Sequence, residues 1–311
     1  MSSATDLVIV RYSESDIRCT PLYCSPCSLF NLDKKYELLV NGEATDIYWE
    51  SHAKSGGLLV LSNSSSNSNK NNFECKCEYG VLRGNAFVMS CAQLHKIEMH
   101  LKSGMNCARL AQVGTQLAIE FCICFTRGEK MILSDIDGTI SRSDVRGLVL
   151  NAVDIEWTHR GVCKLFCSLE KRGYQFVYVS ARPFSQYAMT RAYIEGVDQT
   201  HQKLPRGPVV LAPHTSINAL SNLALQQQYK CDLFEYWNEL LMPGDTHASK
   251  LIFAVGFGNH HSDSNAYYEA ARIPRHCIVL IDASEKVRIE FTGKEYDSYE
   301  QVNESHFFLF Y

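Results

Sequence analysis

The sequence predicts two parts: a β-rich segment over residues 1–128, and an α/β domain with a central parallel sheet over residues 129–311. Three observations carry this. Apolar residues in the first 60 positions alternate with polar ones at the period of a half-buried strand. After residue 131, short apolar runs alternate with stretches of helical periodicity. At the break between the two patterns, the run MILSDIDGT ends in two aspartates one residue apart.

A length of 311 residues suffices for two domains of ordinary size. With 46% hydrophobic and 21% charged residues, the chain can bury real cores. The formal net charge of −4 argues against a dominant nucleic-acid partner, which would leave a basic imprint. No apolar run reaches about 18 residues, so no spanning helix is expected. The start, MSSATDLVIV, lacks the basic segment and apolar run of an export signal. The 13 cysteines are then expected as mostly free thiols in a reducing cytoplasm. Cys24 and Cys27 have CxxC spacing and Cys75 and Cys77 form a CxC, a set that could close a zinc site. The second spacing is poor for a metal, and Cys122 and Cys124 repeat it inside an apolar run, so buried structural cysteines are the better reading.

Strands are expected at DLVIVRY, IRCTPLYC, KKYELLVNG, ATDIYWE and GGLLVLS, with Asn41-Gly42 as a hairpin turn. Residues 62–72, SNSSSNSNKNN, hold nothing that could offset the cost of ordering, and read as a flexible linker. Strands resume at FECKCEYGVL and NAFVMS. The spacing of Cys91, Leu94, Ile97 and Leu101 predicts an amphipathic helix over CAQLHKIEMHL, and TQLAIEFCICF is a further strand. From residue 131, the strands are MILSD, FVYVS, VVLAP, LIFAVGFG and CIVLID. The helices between them are THRGVCKLFCSLEKRGY (Val162, Leu165, Phe166 and Leu169 on one face), SQYAMTRAYIEGV and TSINALSNLALQQQY. Apolar strands alternating with helices mean a parallel sheet with right-handed crossovers.

Such sheets bind ligands at the carboxyl ends of their strands. There the sequence places Asp135 and Asp137, then Ser180 followed by Arg182, then Asn259 with Asp263 four residues on, and Lys230 after a helix. These groups fit phosphoryl transfer. One carboxylate can attack phosphorus and a second can protonate the leaving oxygen. Mg²⁺ would relieve both the carboxylate repulsion and the substrate charge. Lys230 and Ser180 would hold the phosphate oxygens, and Gly138 would let the backbone approach. Taken singly, Ser180 could be a helix cap and Lys230 a surface lysine. Asp-x-Asp-Gly could also be a fragment of a calcium loop, but no glutamate follows at the required distance. The ordered combination after successive strands favours catalysis.

At Asp135, Asp137 and Thr139 the sequence resembles the haloacid dehalogenase superfamily, whose hallmark is DxDxT after the first strand. More narrowly it resembles the lipins, Mg²⁺-dependent phosphatidate phosphatases, at SDIDGTISRSDV, WTHRGVCKLF, YVSAR, MTRAYIEGV, LPRGPVVLAP and FGN. The resemblance implies a haloacid dehalogenase-like Rossmannoid domain. Its nucleophile would be Asp135 and its general acid/base Asp137. Mg²⁺ would be held by Asp135, the Asp137 main-chain carbonyl and Asn259, with Asp263 in support. Ser180, Lys230, Gly138 and Thr139 would meet the phosphate. The stretches DLVIVRY to YELLVNGEATDIYW and KSGMNCARLAQVGTQLAIEF look like the lipin segments that together form an immunoglobulin-like β-sandwich. The expected function is hydrolysis of phosphatidate to diacylglycerol and phosphate through an aspartyl-phosphate. It would take place at a phosphatidate-containing membrane surface, in a cytoplasmic protein transiently associated with endoplasmic reticulum or other internal membranes.

Three departures stand out. Too few residues precede DLVIV for the amphipathic helix that begins the lipins, so CAQLHKIEMHLK or the terminal HFFLFY must serve, if either does; docking of Phe307–Tyr311 onto the sheet is the favoured reading of the latter. Arg146 stands where the LxxIL coactivator motif has its first leucine. The CxxC at Cys24 has no counterpart in the family pattern. Only about 40 residues separate Asp137 from Ser180, which leaves no room for a large cap and suits a headgroup presented by a bilayer. It suits a phosphoprotein or soluble phosphomonoester equally. A non-catalytic binding module is the reading from another class, and retention of both aspartates, Ser180 and Asn259 counts against it.

Overall fold

The computed structural model describes residues 4–23, 34–53, 59–63, 88–142, 157–212, 223–242 and 252–303. The chain divides into two units, one within Met1–Gly128 and the other within Glu129–Ala212 and Ser216–Tyr311. The predicted strands at FECKCEYGVL and most of NAFVMS, the four cysteines 24, 27, 75 and 77, Arg146–Leu150 and the terminal HFFLFY lie outside the described residues.

The first unit comprises β1 (Leu7–Arg11), β2 (Ile17–Cys19), β3 (Lys35–Val40), β4 (Glu43–Ala53), β5 (Leu59–Asn63), α1 (Cys91–Glu98), β6 (Gly104–Gln112) and β7 (Ala118–Thr126). Its strands make one seven-stranded sheet, in the order β2-β1-β7-β6-β3-β4-β5. Every pair is antiparallel except β1 on β7. Asn41 (φ 53°) and Gly42 (φ 86°) supply the two left-handed residues that a tight β3–β4 hairpin requires. Tyr36, Leu38 and Val40 point inward at the period of two. Leu7 and Ile9 from one side of the sheet and Ile47 and Trp49 from the other share one core with Leu110 and Phe121, so the sheet curls around a common interior.

Three expectations need correction here. Ser62 and Asn63, assigned to the linker, belong to β5 and pair with Glu50 and Trp49, because main-chain pairing does not need apolar side chains. The residue pattern did not give strand β6, although the resemblance placed its stretch in a sandwich: two of its inward residues, Asn106 and Gln112, are polar, which blurs the alternation. Helix α1 ends at Glu98 rather than Leu101. Ser90 and Gln93 close a capping box at its start, while Leu94 and Ile97 are buried in the core and Cys91 is exposed. Its apolar face is therefore spent on its own unit and is not free to enter a membrane.

The second unit runs β8 (Met131–Asp135), α2 (Val162–Lys171), β9 (Gln175–Pro183), α3 (Tyr187–Gly196), β10 (Asp198–Gln199), β11 (Gln202–Lys203), β12 (Val209–Ala212), α4 (Leu223–Leu241), β13 (Phe253–Gly258), α5 (His261–Asn265), β14 (Ile278–Ile281), β15 (Val287–Ile289) and β16 (Lys294–Tyr296). A seven-stranded sheet has the order β12-β9-β8-β13-β14-β15-β16. It is parallel from β12 to β14, and β15 and β16 add an antiparallel edge whose three-residue strands are too short to show a period. Strand β8 is central and buried throughout, which is why it reads as a continuous apolar run. Val162, Leu165, Phe166 and Leu169 of α2 pack onto the sheet, with the Phe166 ring 4.7 Å from Phe176 and 4.9 Å from Phe257. Burying one such phenyl ring contributes about 2–3 kcal/mol.

Helix α4 does not stop at Tyr229. It continues to Leu241 because Leu233, Phe234, Trp237 and Leu241 carry the apolar stripe onward, with Trp237 stacked on Phe253 at 6.2 Å. Lys230 is thus a residue within a helix, not one that follows it.

Candidate active site

Five elements bring the site together in the second unit. Strand β8 ends at Asp135, and the turn after it carries Asp137, Gly138 and Thr139. Ser180 and Arg182 lie on β9, Lys230 on α4, and Asn259 directly after β13 with Asp263 on α5.

At the centre the Lys230 ammonium donates to Asp135 Oδ1 at 2.7 Å and to Asp263 Oδ1 at 2.5 Å. The three residues are 3–5% exposed. Burial alone would lower the Lys230 pKa, but the two carboxylates hold it above its usual value, so it stays charged. Asp263 resists its burial because Lys230 and the N–H groups of Asn259 and His260, each 3.1 Å from Oδ2, hold its pKa below the usual carboxylate range. Asp135 has fewer donors. Besides Lys230 it accepts from the Thr139 hydroxyl at 3.5 Å, and burial pushes its pKa up to about 7.

Asp137 faces a different set of donors. Arg182 donates from Nε to both its oxygens, at 3.1 and 2.9 Å, and from Nη2 to Oδ1 at 2.5 Å. Ser180 Oγ donates to Oδ2 at 3.0 Å and accepts from the Arg182 N–H at 3.1 Å. The two aspartates one residue apart are therefore each matched to a separate cation. Ser180 and Lys230, expected at the phosphate, lie against these carboxylates.

Ser141, His159 and Tyr299, to which sequence reasoning gave no role, secure the turn that carries Gly138 and Thr139. Gly138 has φ 78°, a conformation for which glycine is suited; its N–H donates to Ser141 Oγ at 3.3 Å and its carbonyl accepts from His159 Nε2 at 2.9 Å. That bond fixes the His159 tautomer, and burial lowers the ring's pKa, so the histidine stays neutral. Tyr299 donates its hydroxyl to the Thr139 carbonyl at 3.2 Å and meets His159 edge-on. Thr139 itself is fully buried and supports Asp135. His159 is the histidine of the WTHRGVCKLF stretch and could have been found there. Tyr299 lies 160 residues from its partner and had no local signal.

Comparison with known proteins now bears on this geometry. Residues 86–310 match the LNS2 (Lipin/Ned1/Smp2) family, a span that holds every residue named above. The chain belongs to the LNS2 family. Phosphatidic acid phosphohydrolase 1 of Saccharomyces cerevisiae is 34% identical over 193 residues, 57% of this chain and 22% of that protein. Phosphatidate phosphatase LPIN2 of Homo sapiens is 33% identical over 179 residues, 57% of this chain and 19% of its own length. Phosphatidate phosphatase PAH1 of Arabidopsis thaliana is 31% identical over 196 residues, 61% of this chain and 21% of that protein. This chain thus spans about a fifth of the length of these relatives. The LNS2 region is haloacid dehalogenase-like, in keeping with the parallel sheet.

The donors that this LNS2 chain gathers suit a hard divalent cation. Asp135, Asp263, the Asn259 carboxamide and the Asp137 main-chain carbonyl all offer oxygen atoms, the donor type such a cation would take, and two buried carboxylates share one ammonium group. Burial, more than the neighbouring Asp263 and Asp137 carboxylates, raises the Asp135 pKa, and Lys230 offsets only part of it. Among the described residues no three His, Cys, Asp or Glu side chains cluster as a metal site, so a cation here depends on the carboxamide and the carbonyl as well. All nine described cysteines are free.

One glycine secures the arrangement. A Cβ on Gly258 would lie 2.5 Å from Asp263 Cβ and 2.9 Å from its Oδ2. Gly258→Ala is expected to cost about 1–3 kcal/mol in urea unfolding and to displace Asp263 from Lys230. Unchanged stability would mean that α5 can shift without strain.

Proposed function

We propose that this chain hydrolyses phosphatidate to diacylglycerol and phosphate through an aspartyl-phosphate intermediate. The observation that supports this most is the pairing of two neighbouring aspartates with separate cations. Asp135 lies on Lys230 and Asp137 on Arg182, at the carboxyl end of the central strand of an LNS2 chain. Relatives that match it are named phosphatidate phosphatases.

In this reading an Asp135 carboxylate oxygen attacks phosphorus while the bond from phosphorus to the glycerol oxygen breaks. Asp137, protonated, gives its proton to that oxygen, and diacylglycerol leaves. Asp137 then takes a proton from water as the water oxygen bonds to phosphorus. The bond from phosphorus to Asp135 breaks and inorganic phosphate departs. Lys230 favours the ionised form of Asp135 against its burial and offers charge to the phosphoryl oxygens, and Ser180 adds a hydroxyl donor. Gly138 and Thr139 shape the turn at which the phosphate sits. Asp135, the Asp137 carbonyl, Asn259 and Asp263 would hold a Mg²⁺ ion, which would supply charge neutralisation for the carboxylates and the phosphate.

The two-part organisation at residues 1–128 and 129–311 belongs to the same proposal, with an immunoglobulin-like sandwich in the first part. A curled sheet in which β1 lies parallel to β7 supports that reading. The protein is peripheral on internal membranes facing the cytoplasm, and no described helix is long and apolar enough to cross one. Trp157 is 54% exposed, and its carbonyl accepts from the Arg142 N–H, beside the turn that carries Asp137, where an aromatic ring can meet a bilayer.

The test is phosphate release from phosphatidate in mixed micelles, with and without Mg²⁺, for the wild type and Asp137→Asn. Metal-dependent release that the variant loses is expected. Cleavage of an aryl phosphate without cleavage of phosphatidate would keep the chemistry and discard the lipid.

A further inference from the structure

The proposed reaction needs something of Asp137 that its surroundings do not allow. Both of its oxygens accept hydrogen bonds, two at Oδ1 from Arg182 and two at Oδ2 from Arg182 and Ser180. A carboxyl group that must donate a proton to a leaving oxygen has to give up at least part of this cradle. The Arg182 side chain is 12% exposed and that of Asp137 14%, so a guanidinium left behind would be a poorly solvated charge without its partner. Another anion has to take the place of the carboxylate.

We propose that Arg182 is a phosphate-binding residue, whose guanidinium exchanges between the Asp137 carboxylate and the phosphoryl oxygens of the substrate. The inference rests on the phosphatase reading above and adds a ligand to it. Geometry supports it in three ways. The guanidinium presents its Nε–Nη2 edge to a carboxylate, and that planar fork fits two oxygens of a phosphate as well as two of a carboxylate. Its far side is anchored, because Nη1 donates to the buried Thr190 hydroxyl of α3 at 3.3 Å; the group can change partner without changing place. Ser180, one residue removed along β9, joins the same cradle through its own hydroxyl. Entry of a phosphate dianion would then draw Arg182 and Ser180 to itself and free Asp137 to serve the leaving oxygen. Substrate binding and readiness of the acid become one event.

Inorganic phosphate, the product of the reaction, is the probe, and its affinity is measured by titration calorimetry on the full chain in Mg²⁺ buffer. Asp137→Asn is expected to bind phosphate about tenfold tighter than the wild type, since a neutral amide competes less for the guanidinium. Adding Arg182→Gln to that variant is expected to lose at least tenfold. Arg182→Lys, which keeps the charge without the fork, is expected to fall between, and it decides the matter if the glutamine variant does not melt cooperatively. An affinity that Arg182→Gln leaves within about twofold in the Asp137→Asn background would overturn the proposal and leave Arg182 as a positioning residue for Asp137 alone. So would a wild type that takes up no phosphate at millimolar concentration. Because the readout is binding, phosphatidate hydrolysis can fail while the Arg182 pattern holds, and the reverse outcome is equally distinct.

Discussion

Replacing Asp135 by asparagine is expected to abolish phosphate release, by at least about 10⁴-fold, and to make the metal-free protein more stable at pH 8. The first half follows from the chemistry: an amide oxygen cannot form the acyl-phosphate, and the remaining groups cannot act without a nucleophile. The second half follows from the electrostatics. Burial raises the Asp135 pKa from 3.8 to about 7. The unfolded chain ionises this group near 3.8, so between about pH 4 and 7 the folded state binds more protons and its stability falls as pH rises. At 1.36 kcal/mol per pKa unit, the full cost above pH 7 is about 4 kcal/mol at most. Asparagine does not titrate and removes that cost, though it also takes a partner from Lys230, so a net gain of about 1–3 kcal/mol is expected. Thermal unfolding in chelator at pH 4 and pH 8 is the measurement. The variant should gain over the wild type only at the higher pH. An equal difference at both values would mean that packing, not charge, sets the effect. A gain confined to the higher pH is the ordinary signature of a group kept for function against stability.

How far the sequence reaches can be judged from particular residues. Strand β8 and the turn after it were legible because a buried central strand is apolar throughout and stops abruptly at charge. The hairpin at Asn41-Gly42 was legible because two consecutive left-handed residues leave few other choices. Strand β6 was missed because its inward positions include Asn106, whose side chain serves as a turn anchor, donating to the carbonyls of Lys102 and Gly104 and accepting from the Lys102 N–H. The end of α4 was missed because the eye stops at the polar run QQQYK, whereas the helix is held by the aromatic stripe beyond it. In the site, the sequence could nominate groups at strand ends but not say which carboxylate would face which cation. Arg182 stood in view within YVSAR, yet nothing in one dimension says that its guanidinium lies on Asp137, 45 residues earlier. Pairings of that kind are set by tertiary packing.

Lys230 should be the costliest single residue to lose. Lys230→Met leaves Asp135 and Asp263, 5% and 3% exposed, as two buried carboxylates without the cation between them. Removing one partner of a buried ion pair typically costs about 3–5 kcal/mol, because the surviving charge cannot be resolvated. The methionine fills nearly the same volume, so packing loss adds little. At pH 8 in chelator the variant is expected to unfold about 3–5 kcal/mol more easily in urea than the wild type. A surface lysine would change stability by less than about 0.5 kcal/mol. The charge origin can be separated from any strain by a second substitution. Asp263→Asn in the Lys230→Met background removes one of the two stranded carboxylates and is expected to recover about half of the loss, whereas in the wild type the same change should destabilise. That reversal of sign cannot come from packing, since the volume change is identical in both backgrounds. If the two effects instead simply add, the lysine is a packing residue whose ammonium group the carboxylates do not need. Phosphate release divides the same way. With the ammonium lost, Asp135 is harder to ionise and the phosphoryl oxygens lose a donor, so a fall of at least about 10³-fold is expected at a temperature where the variant is still folded.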